Sequence, residues 1–185
     1  MKQIRRKSKK QKPPLLHFGV FIAAVFAITL ITKINLISSS PIYSKIFHSN
    51  FLATILPQVL INETNTDRNK QNLPSLASNS LLEKAATLKA QDMIKNQYFA
   101  HSSPSGINPW YWLDKVGYNF SSAGENLAMN FFESEDVARA WMDSPPHEAN
   151  ILNKHYTEMG VGVAEGTYQN KKVVFIVEFF GNPAL

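Results

Sequence analysis

The stretch Lys172–Phe180, KVVFIVEFF, decides the fold, and it follows a second regular run, Met159–Gly166, MGVGVAEG. Both runs favour β-strands, and the five residues TYQNK between them indicate an antiparallel hairpin. A strand that is apolar on both faces needs a layer above and a layer below it. The pattern therefore predicts a three-layer α/β/α sandwich with a central, mainly antiparallel sheet. The two apolar faces of the later run are Val173, Phe175, Val177 and Phe179 on one side, and Val174, Ile176 and Phe180 on the other.

The helices for those layers are indicated upstream of the hairpin. Ser80 followed by Glu83 forms a capping box, and apolar residues at helical spacing come after it. Ser134 is a good N-cap, and the two residues that follow it are acidic. Pro145 and Pro146 end the helix that Ser134 starts. Residues 101–124 show no pattern of a long element. The predicted helices span residues 59–70, 80–97, 109–115 and 134–143.

The composition excludes several classes of protein. Of the 185 residues, 44% are hydrophobic and 18% are charged, which is typical of a folded domain and not of a disordered chain. Cysteine is absent, so the chain has no disulfide framework, no thiolate zinc site and no cysteine nucleophile.

The net charge of +5 belongs to one end of the chain. Residues 1–12 contain seven lysines and arginines and no acid, whereas the remaining residues carry twelve such bases against fourteen acids. Binding to phosphate backbones requires an excess of cations, which the main part of the chain lacks. Nucleic acid is therefore not expected as a partner.

An apolar segment follows the basic residues directly. Residues 15–37 are long enough to span a membrane, which takes about 20 residues, and the preceding cations place the N-terminus in the cytoplasm. This predicts a single-pass protein of the cell membrane whose C-terminal domain lies outside. The alternatives are a cleaved signal peptide, which would make the protein secreted, and a buried core helix. The predicted parts are a basic cytoplasmic tail (1–14), a transmembrane anchor (15–37), a juxtamembrane linker (38–56) and the domain (57–185).

Three polar residues of that domain are candidates for a site. His101 and His147 each lie in a predicted loop after a helix, and Glu125 lies between them in AGENLA. Two imidazoles and a carboxylate can bind zinc or another divalent metal, or they can form a polar cluster without metal. His48 and His155 have no such surroundings and are interpreted as surface residues. The motifs GxGxxG, GxxxxGK, HExxH and GxSxG are absent, which removes the familiar routes to nucleotide binding, zinc proteolysis and serine hydrolysis.

Several motifs in a fixed order resemble the bacterial branch of the CAP superfamily. That superfamily includes cysteine-rich secretory proteins, insect venom antigens and plant pathogenesis-related proteins. The resemblance covers about residues 58–181 and implies an α/β/α sandwich with a central cleft. The matching motifs are N-x-x-R at Asn65 and Arg68, HSSPSGINPW (101–110), AGENLA (123–128), AWMDSPPHEANIL (140–152), MGVGVAEG and EFFG (178–181).

The resemblance also implies which residues form the cleft. Animal and plant members carry two histidines and two acids there, and His101, Glu125 and His147 match three of these four by motif. Ser144 stands where the second acid is expected, with Asp143 beside it. Glu178 falls on a buried face of the strand 172–180 and is a further candidate for the missing carboxylate.

These observations favour a non-catalytic, membrane-anchored binding module. Its cleft of His101, Glu125 and His147 would take an extracellular ligand that is apolar, a glycan or a protein, with tryptophans 110, 112 and 141 lining or supporting it. The first alternative is a metal-dependent hydrolase of cell-wall or peptide substrates, in which His101 and His147 hold zinc and Glu125 is the general base. The second is a structural or adhesive domain that the polar cluster merely stabilises.

Overall fold

The computed structural model describes residues 55–184, which lie within one compact unit of the chain, residues 52–185. The predicted tail (1–14), the transmembrane anchor (15–37) and all but the last two residues of the linker (38–56) lie outside the described residues. Within the described range, no helix is both long and apolar enough to cross a membrane. The elements are α1 (Pro57–Lys70), β1 (Ala77–Ser78), α2 (Ser80–Lys95), α3 (Trp110–Val116), β2 (Phe120–Met129), α4 (Ser134–Met142), α5 (Pro145–Ile151), β3 (Glu158–Tyr168) and β4 (Lys171–Pro183).

The four strands of the described residues form one sheet in the order β1-β3-β4-β2. β3 and β4 form the predicted antiparallel hairpin, β2 is antiparallel to β4, and β1 pairs in parallel with β3. The turn of the hairpin consists of Gln169 and Asn170, whose φ values of 49° and 63° are those of a tight type I′ turn. The strands therefore extend further into the TYQNK segment than the sequence indicates.

Helices cover both faces of this sheet, which confirms the mixed α/β architecture. The odd-numbered residues of 173–179 in β4 belong to one apolar core together with α2 and α3. Val174, Ile176 and Phe180 belong to a second core together with α1, α4 and α5. The prediction that this strand is buried on both faces is therefore confirmed.

Two glycines of β3 fix the distance between the sheet and α2. A Cβ atom at Gly160 or Gly162 would overlap with the backbone of α2, at Glu83 or Thr87 respectively. Glycine at these positions lets the strand and the helix touch directly. The placement of α2 on the sheet is thus set by contacts between backbones.

Both predicted helix caps are displaced by one residue. The N-cap of α2 is Asn79, whose side-chain oxygen accepts hydrogen bonds from two backbone N–H groups of the first turn, so Ser80 is the first helical residue. At α4, Glu133 occupies the cap position. The hydroxyl of Ser134 instead accepts a hydrogen bond from the backbone N–H of Leu56 at 2.9 Å, so it ties the helix to the segment before α1.

The sequence pattern fails to predict three elements, the shortest of which is the two-residue strand β1. β2 is built from FSSAGENLAM, whose small and polar residues hide the strand that begins inside the supposedly irregular stretch. The prolines that end α4 also begin α5, because proline suits the first turn of a helix. His147 consequently lies on a helix and not in a loop, which corrects the prediction for that residue.

Candidate functional site

The centre of the site is a short contact between an exposed histidine and a buried glutamate. Nδ1 of His101 lies 2.6 Å from Oε1 of Glu125, and the side chains are 60% and 2% exposed respectively. Glu125 lies on β2 opposite Phe179 of β4, so its side chain belongs to the sheet face that α2 covers. The structure thus brings two of the three candidate residues, His101 and Glu125, into contact.

Lys89 of α2 adds a buried cation to this pair. Its side chain is fully buried, and Nζ donates a hydrogen bond to the backbone carbonyl of His101 at 2.5 Å. The ammonium also lies 5.2 Å from the centre of the Tyr98 ring, whose hydroxyl donates to Asp92 at 2.7 Å. The sequence analysis missed Lys89, although a signal exists: it lies seven residues after Leu82 and four before Met93, on the buried stripe of the helix.

The charges of the three groups influence one another. The hydrogen bond that His101 makes to the Glu125 carboxylate raises the pKa of His101, and this outweighs the opposite effect of partial burial. Burial raises the pKa of the Glu125 carboxyl, although His101 and Lys89 act to lower it. Burial lowers the pKa of Lys89, and the charge of Glu125 opposes that shift. The exposed imidazole is therefore the group of this cluster that is held toward its charged form.

His147 lies near this pair without joining it. It belongs to α5, which packs on the opposite face of the sheet through Ile151. Burial, and to a lesser degree the positive charge of His101, lowers the pKa of His147. Its backbone carbonyl accepts a hydrogen bond from Asn126 at 3.3 Å, so β2 connects the two histidines. The site is thus arranged around β2, with the two histidines carried by segments on either side.

Ser144, at the position of the expected second acid, contacts His147. Its Oγ lies 2.9 Å from Nδ1 of His147, three residues further along the chain. An activated serine also requires a third group that orients the histidine. None of the hydrogen bonds formed by residues 55–184 supplies His147 with such an acid, so the contact is a local one at the start of α5.

Three side chains cover the outer edge of β2. Carbonyl groups of this strand accept hydrogen bonds from the Tyr156 hydroxyl at 3.0 Å, the Asn150 amide at 3.0 Å and the Trp141 indole at 3.1 Å. Gly124 is required beneath them, because a Cβ atom there would lie 2.6 Å from the Tyr156 hydroxyl and 2.9 Å from Asn150. The carbonyls so covered are those of Ala123, Glu125 and Leu127.

Glu178 does not provide the missing carboxylate of the cleft. It is fully buried on the other face of the sheet from Glu125, since it lies opposite Asn126 in the register of β2 and β4. Thr64 and Asn126 donate hydrogen bonds to its carboxyl group at 2.9 and 3.2 Å. Burial raises the pKa of Glu178 to about 8, although both hydrogen bonds act in the opposite direction.

The remaining motif residues hold segments together. Asn65 exchanges two hydrogen bonds with the backbone of Leu76, and the guanidinium of Arg68 donates to the carbonyls of Pro74, Ile151 and Asn153. Trp112 and Trp141 are almost fully buried, so they support the site from the core, while Trp110 is half-buried against Phe120. His155 is exposed, as predicted, and His48 lies outside the described residues.

The predicted metal ligands do not fit a catalytic zinc site. No group of three or more His, Asp or Glu side chains between residues 55 and 184 is arranged to hold a metal ion. A catalytic zinc ion takes three protein ligands, and here Glu125 engages Nδ1 of His101 while Ser144 engages Nδ1 of His147. No reaction step through a metal follows from this donor set.

Comparison of sequences places most of the described residues in one family. Residues 61–179 match the sequence model described as the Cysteine-rich secretory protein family, CAP. The uncharacterized protein YkwD of Bacillus subtilis (strain 168) is 41% identical over 102 residues, which are 55% of this chain and 40% of YkwD. The uncharacterized membrane protein YlbC of the same strain is 30% identical over 117 residues, which are 63% of this chain and 34% of YlbC. The chain therefore spans well under half the length of these curated relatives.

Two solved structures of bacterial proteins are similar to this chain. An extracellular protein containing a SCP domain from Bacillus anthracis aligns with a TM-score of 0.60 and 30% identity, over 68% of this chain and 40% of that protein. An outer surface protein from Borrelia burgdorferi aligns with a TM-score of 0.59 and 26% identity, over 69% of this chain and 92% of that protein. Sequence and structure thus agree on the same relationship.

Proposed function

This chain belongs to the Cysteine-rich secretory protein family, and we propose that its domain is a non-catalytic binding module whose ligand contacts His101. The single observation that carries the proposal is the exposed His101 imidazole hydrogen-bonded to the buried Glu125 at 2.6 Å. The carboxylate of Glu125 favours the protonated form of His101, and in that form the second ring nitrogen, Nε2, is a hydrogen-bond donor for a ligand.

The chemistry of His101 indicates the class of ligand. Because Glu125 raises the pKa of His101, the outward nitrogen is suited to a negatively charged oxygen, such as a carboxylate. A glycan or a polypeptide can supply such a group. Of the three ligand classes that the sequence leaves open, this favours a glycan or a protein over an apolar ligand. In this proposal the half-buried Trp110 and the exposed Tyr111, at the start of α3, would contact less polar parts of the same ligand.

The place of action in this proposal is outside the cytoplasm. Residues 15–37 would anchor the chain in the cell membrane, and the domain would extend on the outer side, or be secreted if that segment is cleaved. The names of two relatives support this: one is called an extracellular protein and another a membrane protein.

Binding of paired acidic and neutral probes to the full-length chain tests the proposal. The probes are oligosaccharides with and without a uronic acid, and peptides with a free or an amidated C-terminus. We expect at least one acidic probe to bind more tightly than its neutral counterpart. His101→Gln should weaken that binding by about tenfold or more, because a charge-assisted hydrogen bond contributes about 1.5–3 kcal/mol.

His155→Gln is the matched control, since it removes an exposed histidine whose side chain takes part in none of the hydrogen bonds of residues 55–184. It should bind every probe as the unmodified chain does. Binding that is equally strong in the His101 and His155 variants would remove His101 from the site. If no probe distinguishes acid from neutral form, the proposed ligand class is wrong.

The metal-dependent hydrolase receives no support from the geometry, because the described residues lack a third ligand. The purely structural alternative predicts a different pattern. In that case His101→Gln would lower the stability of the fold and leave the binding of all probes unchanged.

A further inference from the structure

We propose that Lys89 is the positioning residue of this site, because its buried ammonium fixes the backbone of His101 so that the imidazole meets Glu125 and remains turned outward. The importance of that position rests on the proposed function of His101. The positioning of His101 by Lys89 does not depend on that proposed function, since it concerns contacts within the chain and can be measured without a ligand.

The burial of Lys89 requires an explanation. A lysine is almost never fully buried unless it is paired, because removing its charge from water is costly. Here the side chain is fully buried on the face of α2 that packs against the sheet. Among the hydrogen bonds of residues 55–184, Nζ makes one, to the carbonyl of His101 at 2.5 Å. A leucine or methionine would fill the same space without the cost of removing a charge from water. What the lysine adds is the hydrogen bond of its ammonium to the His101 carbonyl.

The environment of Lys89 compensates its charge from several sides. The ammonium lies 5.2 Å from the centre of the Tyr98 ring, and the charges of Glu125 on β2 and Asp92 on α2 both act on it. The Tyr98 ring, the two carboxylates and the His101 carbonyl are thus the groups that act on this ammonium. Lys89 is therefore held in place by three elements of structure: α2, β2 and the segment after α2.

His101 itself has little other support. It lies between α2 and α3, in a segment that forms neither helix nor strand. It is fastened at two points: Lys89 holds its carbonyl and Glu125 holds its imidazole. Both partners belong to rigid elements packed against the same core, and this arrangement fixes the direction of an otherwise exposed side chain.

Nuclear magnetic resonance of the full-length chain labelled with ¹⁵N-histidine tests this role. A short hydrogen bond to a carboxylate gives the His101 Nδ1 proton a downfield signal that exchanges slowly with water. In Lys89→Met, which keeps the volume and removes the donor, we expect this signal to disappear or to exchange at least tenfold faster. Lys84→Met removes an exposed lysine of the same helix and should leave the signal unchanged.

A second measurement needs no variant, in case Lys89→Met does not fold. In the unmodified chain labelled with ¹⁵N-lysine, the Lys89 ammonium should exchange with water at least tenfold more slowly than that of Lys84. An unchanged His101 signal in folded Lys89→Met would overturn the proposal, and so would equal exchange at Lys89 and Lys84.

These outcomes separate the inference from the proposed function. If His101→Gln leaves binding of the acidic and neutral probes unchanged, the proposed function fails while the effect of Lys89 on the His101 signal remains. If Lys89→Met leaves the His101 signal unchanged, the positioning role fails whatever the probes show.

Discussion

Two buried glutamates, Glu125 and Glu178, lie on neighbouring strands and on opposite faces of the same sheet, and their partners differ. Glu125 is paired with a histidine that reaches the solvent and lies near a buried lysine. Glu178 is enclosed completely and accepts hydrogen bonds from the neutral side chains of Thr64 and Asn126. Burial alone therefore does not mark a functional carboxylate. A histidine partner whose side chain is exposed distinguishes Glu125 from Glu178.

The largest expected difference between the two is in the pH dependence of stability. Burial raises the pKa of Glu178 to about 8 in the folded protein, against 4.5 for the free side chain. The folded state then keeps a proton that the unfolded state loses. Between about pH 5 and pH 8 this single group should therefore lower the free energy of unfolding by about 1.4 kcal/mol per pH unit as the pH rises.

Comparison with Glu178→Gln isolates this effect, because glutamine has the same shape and does not titrate. Urea unfolding of both full-length chains at pH 5, 6, 7 and 8 measures the two free energies of unfolding. As the pH rises, the free energy of unfolding of the unmodified chain should fall relative to that of the variant. If the free energies of unfolding of the two chains change with pH in parallel, Glu178 is already ionised in the folded state. The proposed difference between Glu178 and Glu125 would then be wrong.

The next effect concerns the neutral partners of Glu178. Thr64→Val keeps the shape of the side chain and removes the hydroxyl that donates to the carboxyl at 2.9 Å. The free energy of unfolding should fall by about 1–2 kcal/mol, because a buried acceptor loses its donor. Thr66→Val, on the exposed side of α1, is the control and should change stability by less than about 0.5 kcal/mol. Equal effects of the two substitutions would show that the buried network is not specific.

The smallest effect on stability is expected at Glu125. Glu125→Gln keeps a hydrogen-bonding side chain, so the free energy of unfolding should change by less than about 1 kcal/mol. The pKa of His101 should fall below its value in the unmodified chain, because the carboxylate that raises it is gone. A titration followed by nuclear magnetic resonance measures this fall. Glu165→Gln, an exposed position on β3, should leave the His101 titration curve where it is.

The sequence predicts the sheet better than it predicts what surrounds the site. The alternation of β4 is readable because apolar residues at two-residue spacing have no other good explanation than a strand with cores on both sides. β2 is not readable in the same way. Gly124 is required there by the close approach of Tyr156 and Asn150, and such a contact between distant parts of the chain leaves no local pattern.

The candidate site shows the same division. His101 and Glu125 are found from the sequence because a histidine and a carboxylate recur within ordered motifs, and the structure brings them together. His147 is placed in the wrong element because Pro145 and Pro146 end one helix and also begin another. Lys89 is missed because lysines on helices are usually solvated, and its partner is a backbone carbonyl, which no side-chain motif reveals.

The covered edge of β2 has a consequence for association between molecules. An edge strand normally offers unpaired carbonyls on which a strand from another chain can assemble. In β2 the side chains of Tyr156, Asn150 and Trp141 already occupy those acceptors, so sheet growth at this margin would first require three contacts to break. These three carbonyls are therefore not free to receive a strand from another molecule.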